Sequence, residues 1–365
     1  MKITHVETHR VHIPAADPPF LWRAGLYGSP PDGEGIVLLL RTDEGAEGVA
    51  LLTRPGSAPQ LEDAVDRFFR AELVGADPLQ REYLWHRVWE IDRIHEVPLP
   101  LLGVVDVVLW DLASRSVGLP LWQFLGGYRT AIPAYASTTT FATTEEFLDV
   151  ADQCLELGYQ AIKLHAWGDA RRDARLCDAL REHVGGDVQL MYDGSAGFDL
   201  PDAIHVGRAL SRNDFLWYEE PMREFSIHSY QRLSEAVDVP LLVAETSDGA
   251  HMNVADFISA GTATFGVRTD TVLKGGITGS LRIAHLADSF SIRTEVHGSD
   301  APNRHLCMAI SNTTYYESLV TSTTVSRERY VDANGMVTAP VGPGIGLPAG
   351  LDWPADLARF VEQPV

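Results

Sequence analysis

Cations are scarce in this chain: 29 Lys and Arg stand against 50 Asp and Glu over 365 residues, a formal net charge of −21. Such a field repels nucleic acid and anionic membrane surfaces, so neither is an expected partner. A small anionic substrate remains possible only where a metal or basic cluster inverts the sign locally. Cysteine is nearly absent. Cys154, Cys177 and Cys307 are odd in number, lie in separate helix-like segments and lack metal-type spacing, so they read as reduced packing residues. No apolar run approaches the roughly 20 residues that cross a bilayer. The opening MKITHVETHRVHIP alternates and carries charge, the pattern of a first strand rather than a signal peptide, and the expected location is the cytoplasm. Nor is there a Gly-rich phosphate loop after an early strand, as an open doubly wound sheet usually shows.

What is present fits a large barrel or two domains, with 45% hydrophobic and 22% charged residues. The first third reads as an α+β unit: a strand over 2–12, a hairpin over 35–52 turning at Asp43–Gly45, then helices at 59–73, 78–92 and 101–117. Between strand and hairpin lies a Pro- and Gly-rich loop, 14–35, carrying Phe20, Trp22, Arg23 and Tyr27. A loop that long is usually functional or disordered.

From about residue 130 the rhythm changes. Eight short β-type runs (132–138, 161–166, 188–194, 215–221, 240–246, 264–270, 292–298 and 314–319) alternate with amphipathic helical stretches. That pattern predicts an α/β fold, a parallel (β/α)8 barrel of 128–324 behind an N-terminal α+β capping domain of 1–127. The tail, 325–365, is expected to return to the cap.

In AIKLHAWGD, 161–169, strand alternation puts Lys163 and His165 on one face while Ile162 and Leu164 take the other. Two basic groups on an inward face need negative partners. The strand ends supply them: Asp193 on strand 3, Glu219 on strand 4, Glu245 on strand 5, Asp270 on strand 6 and Glu317 on strand 8, with His297 on strand 7. Asp193, Glu219 and Glu245 are evenly spaced, one βα unit apart, which predicts equivalent positions on neighbouring strands. Three converging carboxylates repel unless a cation joins them, and all-oxygen ligation with room for water or substrate favours Mg²⁺ over Zn²⁺. Glu220 is read as turned the other way and is not counted as a ligand. Arg23, Trp22 and Tyr27 could close over the barrel mouth; Asn303, Arg304 and His305 could touch substrate or begin a helix.

Together, GVVDVVLWDLASRSVGLPLWQFLGG (103–127), K-x-H at 163–165, YDGSAGFD (192–199), WYEEP (217–221), AET (244–246), D-x4-GGITG (270–279), EVHG (295–298) and YYE (315–317) resemble the enolase superfamily, and within it the mandelate racemase subgroup. The resemblance implies that Asp193, Glu219 and Glu245 bind Mg²⁺. It implies that Lys163 and the metal hold the substrate carboxylate and stabilise the enediolate formed when the α-proton leaves. His297 paired with Asp270 would be an acid/base group, Glu317 would hydrogen-bond the substrate carboxylate, and the protein would be a homo-oligomer, dimer or octamer. The chain departs from the subgroup's pattern at three places. His165 stands where mandelate racemases have lysine, Ser195 where many relatives have asparagine, and Leu273 at a common Lys/Arg position with Lys274 one step on.

The function these readings imply is Mg²⁺-dependent dehydration of an acid sugar or related hydroxy acid to a 2-keto acid, a lyase reaction. His165 would be the abstracting base, His297 the acid and Arg23 a substrate contact. The alternative is an isomerase, a racemase or epimerase working by 1,1-proton transfer, which needs two bases but no β-leaving group.

Overall fold

The computed structural model describes residues 1–29 and 32–346. The N-terminal unit is an antiparallel sheet of β1 (Ile3–Ile13), β2 (Gly33–Thr42) and β3 (Glu47–Leu52), in that order. The β2–β3 turn closes with Thr42 N donating to Ala46 O at 3.0 Å, and Gly45 takes the left-handed φ of 79° that the turn needs. Ile36, Leu38 and Leu40 of β2 face the cap helices, while Val37 and Leu39 pack with Val11 and Val49 on the other face. The helices are α1 (Ser57–Ala64), running through a π-helical stretch (Val65–Phe69) into α2 (Arg70–Leu73), then α3 (Arg81–His95), α4 (Leu99–Ser116) and α5 (Leu121–Phe124).

Strands and helices then alternate: β4 (Ala131–Thr138), α6 (Thr144–Glu156), β5 (Ala161–His165), α7 (Ala170–Val184), β6 (Gln189–Asp193), α8 (Leu200–Arg212), β7 (Tyr218–Glu219) and α9 (Ile227–Ser234). They continue with β8 (Leu241–Val243), α10 (Ala250–Ser259), β9 (Gly266–Thr269), α11 (Gly276–Ser289), β10 (Arg293–Val296), α12 (Ala301–Ala309), β11 (Tyr316–Val320) and β12 (Met336–Thr338). The parallel ladder runs β10-β9-β8-β7-β6-β5-β4-β11. The seam between β10 and β11 is held differently. Thr294 N donates to Asn312 O at 2.9 Å, and the buried Glu295 carboxylate accepts from Thr313 Oγ1 at 3.1 Å and Thr314 Oγ1 at 2.6 Å. Among the described residues no helix is long and apolar enough to cross a membrane.

The helices begin where side chains can cap them. Thr143 and Glu146 form a capping box on α6, and Asp169, Asp199 and Asp300 accept backbone N–H bonds at the starts of α7, α8 and α12. Inside the barrel, Tyr135, Ala161, Met191, Trp217 and Leu242 form an apolar floor. On β5, β6 and β7 the next inward residue, two positions on, is charged: Lys163, Asp193 and Glu219. The outward positions Ile162 and Leu164 pack into the shell between strands and helices. The site is a polar layer standing on an apolar one.

β12 pairs antiparallel with barrel strand β4, and the tail reaches the cap at Pro340, whose carbonyl accepts Trp122 Nε1 at 2.9 Å, and at Gly344–Ile345, where Leu121 N donates to Gly344 O and Ile345 N to Asp111 Oδ1. The rest of the expected return, 347–365, lies outside the described residues. Cap and barrel are also locked at α11. Asp106 of α4, buried, accepts from Thr278 N at 2.8 Å and Thr278 Oγ1 at 2.6 Å. Burial pushes its pKa up to about 7 against those bonds. Gly276 (φ 84°) permits this approach, since a Cβ there would meet Asp106 Oδ2 at 2.3 Å. The GGITG stretch is thus a docking point that fixes the chain just after Asp270.

Candidate active site

Lys163, 1% exposed, answers to three carboxylates: Glu317 Oε1 at 2.9 Å, Glu219 Oε2 at 3.1 Å and Asp193 Oδ2 at 3.2 Å. Its burial disfavours charge, but Glu219 and Glu317 outweigh that and raise its pKa well above the ordinary lysine value. Lys163 is a fixed cation. His165 lies in register with Asp193, which in turn pairs with Glu219. Its Nε2 is 3.0 Å from Asp193 Oδ2 and its Nδ1 2.7 Å from Thr138 O. A carbonyl only accepts, so Nδ1 carries a proton and Nε2 is the nitrogen turned to the site.

A second fixed cation, Arg268, was missed in the sequence. It is fully buried on β9 and donates to Glu219 and to Glu317 Oε2 at 3.1 Å, as well as to Tyr135 Oη and Val296 O at 2.9 Å each. Strand alternation from Asp270 would have found it, because residues 268 and 270 sit two apart.

Glu245 reaches the site by another route than the even spacing predicts. Glu219 pairs with Leu242, so Leu242 holds the equivalent position. The chain leaves β8 through Ala244, whose φ is 69°, and Glu245 enters from the loop three residues on. Its Oε2 is buried without a hydrogen bond; Arg268 Nε is 3.6 Å away and His297 Nε2 lies 3.5 Å from Oε1. Burial and then the charges of Glu220, Glu219 and Asp193 push its pKa well above the carboxylate range. Burial would also raise Asp193 and Glu219, but His165 and Lys163 hold the first down and Arg268 and Lys163 the second. One atom from each of Asp193, Glu219 and Glu245 lies within 4.8 Å of the others. An orphaned carboxylate oxygen beside two ionised carboxylates is what a hard divalent cation would satisfy, so the donor set fits Mg²⁺.

Across the mouth, His297 Nδ1 lies 2.6 Å from Asp270 Oδ2, leaving Nε2 towards the cavity. Burial lowers the ring's pKa, but the Asp270 hydrogen bond and the charge of Glu317 raise it on balance. Asp270 also accepts from Val272 N and from Leu273 N at 3.0 Å. Asn303 braces the pair: Nδ2 donates to His297 O at 2.7 Å and Oδ1 accepts Thr271 N at 3.0 Å. Glu317 accepts Gly298 N at 2.8 Å, and its two cations and His297 outweigh burial to hold it well below the usual range.

Two family descriptions match this chain. "Enolase C-terminal domain-like" covers residues 146–350, and "Mandelate racemase / muconate lactonizing enzyme, N-terminal domain" covers 32–126. The chain belongs to the enolase superfamily, in its mandelate racemase subgroup. Its superfamily relatives include a 3,6-anhydro-alpha-L-galactonate cycloisomerase of Streptomyces coelicolor, 28% identical over 88% of this chain and 90% of that one. An L-talarate/galactarate dehydratase of Salmonella typhimurium is 27% identical over 75% and 70% of the two chains. A crystal structure of D-glucarate dehydratase from Agrobacterium tumefaciens, complexed with magnesium, superposes with a TM-score of 0.87 at 33% identity, covering 95% and 96%.

The departures from the superfamily pattern can be placed. Leu273 faces a cavity of about 450 Å³, while Lys274 turns away, fully buried, and donates to Ser247 O at 2.6 Å. Ser195, at a φ of 43°, donates its N–H to Asp193 Oδ1 and presents its carbonyl to Arg23 Nε at 2.9 Å. Arg23, expected to bind substrate, instead anchors its loop by that bond and by one to Ala24 O, packing where Gly197 has no Cβ. From the same loop Trp22 and Leu26 face the cavity, and Trp22 lies on His165 with centroids 4.7 Å apart. Tyr27 is fully exposed.

Glu220 corrects another expectation. Its φ of 39° breaks strand alternation, so it lines the cavity rather than turning away. Arg304 stacks on Tyr330 at 3.5 Å and His305 Nδ1 accepts Trp122 N at 3.1 Å; both are structural members of α12.

Proposed function

We propose that this protein is an Mg²⁺-dependent acid-sugar dehydratase that removes the proton α to a substrate carboxylate and expels the β-hydroxyl, giving a 2-keto acid. The observation that carries the reading is the opposition of two histidines. Both turn Nε2 to one cavity from opposite sides of the barrel, with Lys163 and the carboxylate triad between them. Relatives named as talarate/galactarate and glucarate dehydratases, the latter crystallised with magnesium, support it.

Asp193, Glu219 and Glu245 would hold Mg²⁺, which when bound supplies positive charge to the substrate's carboxylate end. Lys163 faces the same end and meets the second negative charge that builds there as the α-proton leaves. His165, oriented by Nδ1 donating to Thr138 O, presents Nε2 beside Asp193, and with Asp193 committed to the metal that nitrogen would take the α-proton. His297 carries a proton on Nε2, favoured by Asp270 and Glu317, and gives it to the departing β-oxygen, which leaves as water. The resulting enol tautomerises to the 2-keto acid. Glu317, whose pKa Lys163, Arg268 and His297 lower, holds Lys163 and the Gly298 turn behind His297 and would hydrogen-bond the substrate carboxylate from there. Trp22 shields His165 from bulk water.

The same opposition of histidines serves a 1,1-proton transfer, the racemase or epimerase reading, and the product decides between them. Acid sugars incubated with the protein and Mg²⁺ in D₂O should yield 2-keto acid. Deuterium at the α-carbon with the skeleton intact would mean epimerisation, and His297→Asn with unchanged keto formation would sink the acid assignment. A cap of 1–127 on a barrel of 128–324, a cytoplasmic location and a homo-oligomer, dimer or octamer, belong to the same proposal.

A further inference from the structure

The cavity's chemistry changes from floor to rim. Its floor is crowded with carboxylates, each facing Lys163, Arg268, His165 or His297, whereas in its wall stand Arg54 and Arg223, two arginines whose guanidinium groups make no hydrogen bond or ion pair among the described residues. In a chain with 50 acidic residues this is unusual. On the outer surface Arg10, Arg41, Arg87, Arg212 and Arg282 each rest on a carboxylate. Arg223 has two acids close by in the chain but among the described residues pairs with neither. Glu220, on the same wall, takes its bond from Thr246 Oγ1 at 2.7 Å. Glu224, next to Arg223, is buried and accepts Ala244 N, Thr246 N at 2.9 Å and Ser247 N at 2.8 Å.

Both arginines are mounted on fixed backbone. Arg54 sits in the turn before α1, its carbonyl accepting Ser57 N at 3.1 Å and Ser57 Oγ at 2.6 Å. Arg223 lies between the β7 strand end and the Glu224 clamp. Arg23 stands near enough to Arg223 for their like charges to be felt, with burial the larger cause of its lowered pKa. One arginine comes from the cap and one from the barrel, so an anion between them would also tie the two together. Around them the wall offers the Ser195 and Thr246 side chains and the apolar Trp22, Leu26, Leu273 and Leu319.

We infer that Arg54 and Arg223 form a distal carboxylate subsite, so that the substrate is a dicarboxylic sugar acid, carboxylate at both ends, rather than a monocarboxylic one ending in a hydroxymethyl group. This rests on the proposed function for its proximal end. The guanidinium fork matches a carboxylate in two bonds, which a hydroxymethyl group cannot reproduce. The volume of about 450 Å³ accepts an extended six-carbon diacid. One charge-assisted bond corresponds to about ten- to hundredfold in affinity, and each arginine supplies at least one.

The test compares six-carbon aldarates with aldonates of matched hydroxyl configuration, using the full-length protein with saturating Mg²⁺. The expected result is a diacid-over-monoacid ratio of kcat/KM above about tenfold. Arg54→Gln and Arg223→Gln should each cut that ratio, chiefly through KM. Calorimetric binding to His297→Asn, whose folded site can hold ligand without turnover, should show the same preference and a salt dependence that both arginine variants weaken. Monoacids or terminal phosphate esters turned over as well as diacids, or a ratio unchanged in both variants, would overturn the subsite and leave the dehydratase reading standing. Diacids bound preferentially by His297→Asn but giving neither keto acid nor α-deuterium in the unsubstituted protein would overturn the dehydratase reading and leave the subsite.

Discussion

Replacing Glu245 with Gln should reverse its effect on stability depending on Mg²⁺. Without metal, Glu245 is a buried carboxylate with one oxygen lacking a hydrogen bond and three acids nearby. Its folded pKa is raised, so the folded state holds a proton the unfolded chain gives up. The resulting penalty is absent below the unfolded pKa of about 4.3, and grows as pH rises to the folded value. A buried unpaired polar group costs about 1–3 kcal/mol, more if charged. Glu245→Gln at neutral pH should therefore raise metal-free stability by about 2 kcal/mol, a few degrees in melting temperature. With Mg²⁺ at about a hundred times its Kd, the unsubstituted protein gains about 2.7 kcal/mol. The variant, lacking one anionic ligand, should gain far less. Scanning calorimetry on both proteins, with chelator and with saturating Mg²⁺, reads the crossover. A variant less stable under both conditions, or an unsubstituted protein indifferent to Mg²⁺, would refute the reasoning.

Asp270→Asn should lower the alkaline limb of the rate–pH profile by about one unit, since a charge-assisted bond exceeds a neutral one by about 1.4 kcal/mol. The sign follows from His297, whose raised pKa keeps it protonated to higher pH; the ring's NMR titration should shift equally. Asn303→Ala, which frees His297 O and Thr271 N, should reduce kcat about tenfold with KM little changed, measured by steady-state keto-acid formation. His165→Asn should abolish α-deuterium exchange while ligand still binds by calorimetry. Persistence of exchange would move the base elsewhere.

The site was legible in sequence wherever strand alternation holds. Lys163 and His165 share an inward face, and Asp193 lies in register with both His165 and Glu219. The same rule applied backwards from Asp270 would have revealed Arg268, the cation that lets Glu219 and Glu317 stay ionised together. The rule fails where the backbone turns left-handed. At Glu220 it swings a side chain into the cavity, and at Ala244 it sends Glu245 in from beyond the strand. The eight strands were readable as short apolar runs, but not the seam at Glu295, whose carboxylate replaces a strand ladder. The first loop was recognisable as functional by length, yet which side chains face the cavity depends on contacts with Ser195 and Gly197 that no local pattern encodes.

The most direct test of the central claim is proton NMR of acid sugars with the Mg²⁺-loaded protein in D₂O. The expected result is loss of the α-proton signal accompanied by a 2-keto acid, both stopped by chelator and by Lys163→Met. Turnover of a sugar acid with its α-proton retained in the product would contradict it.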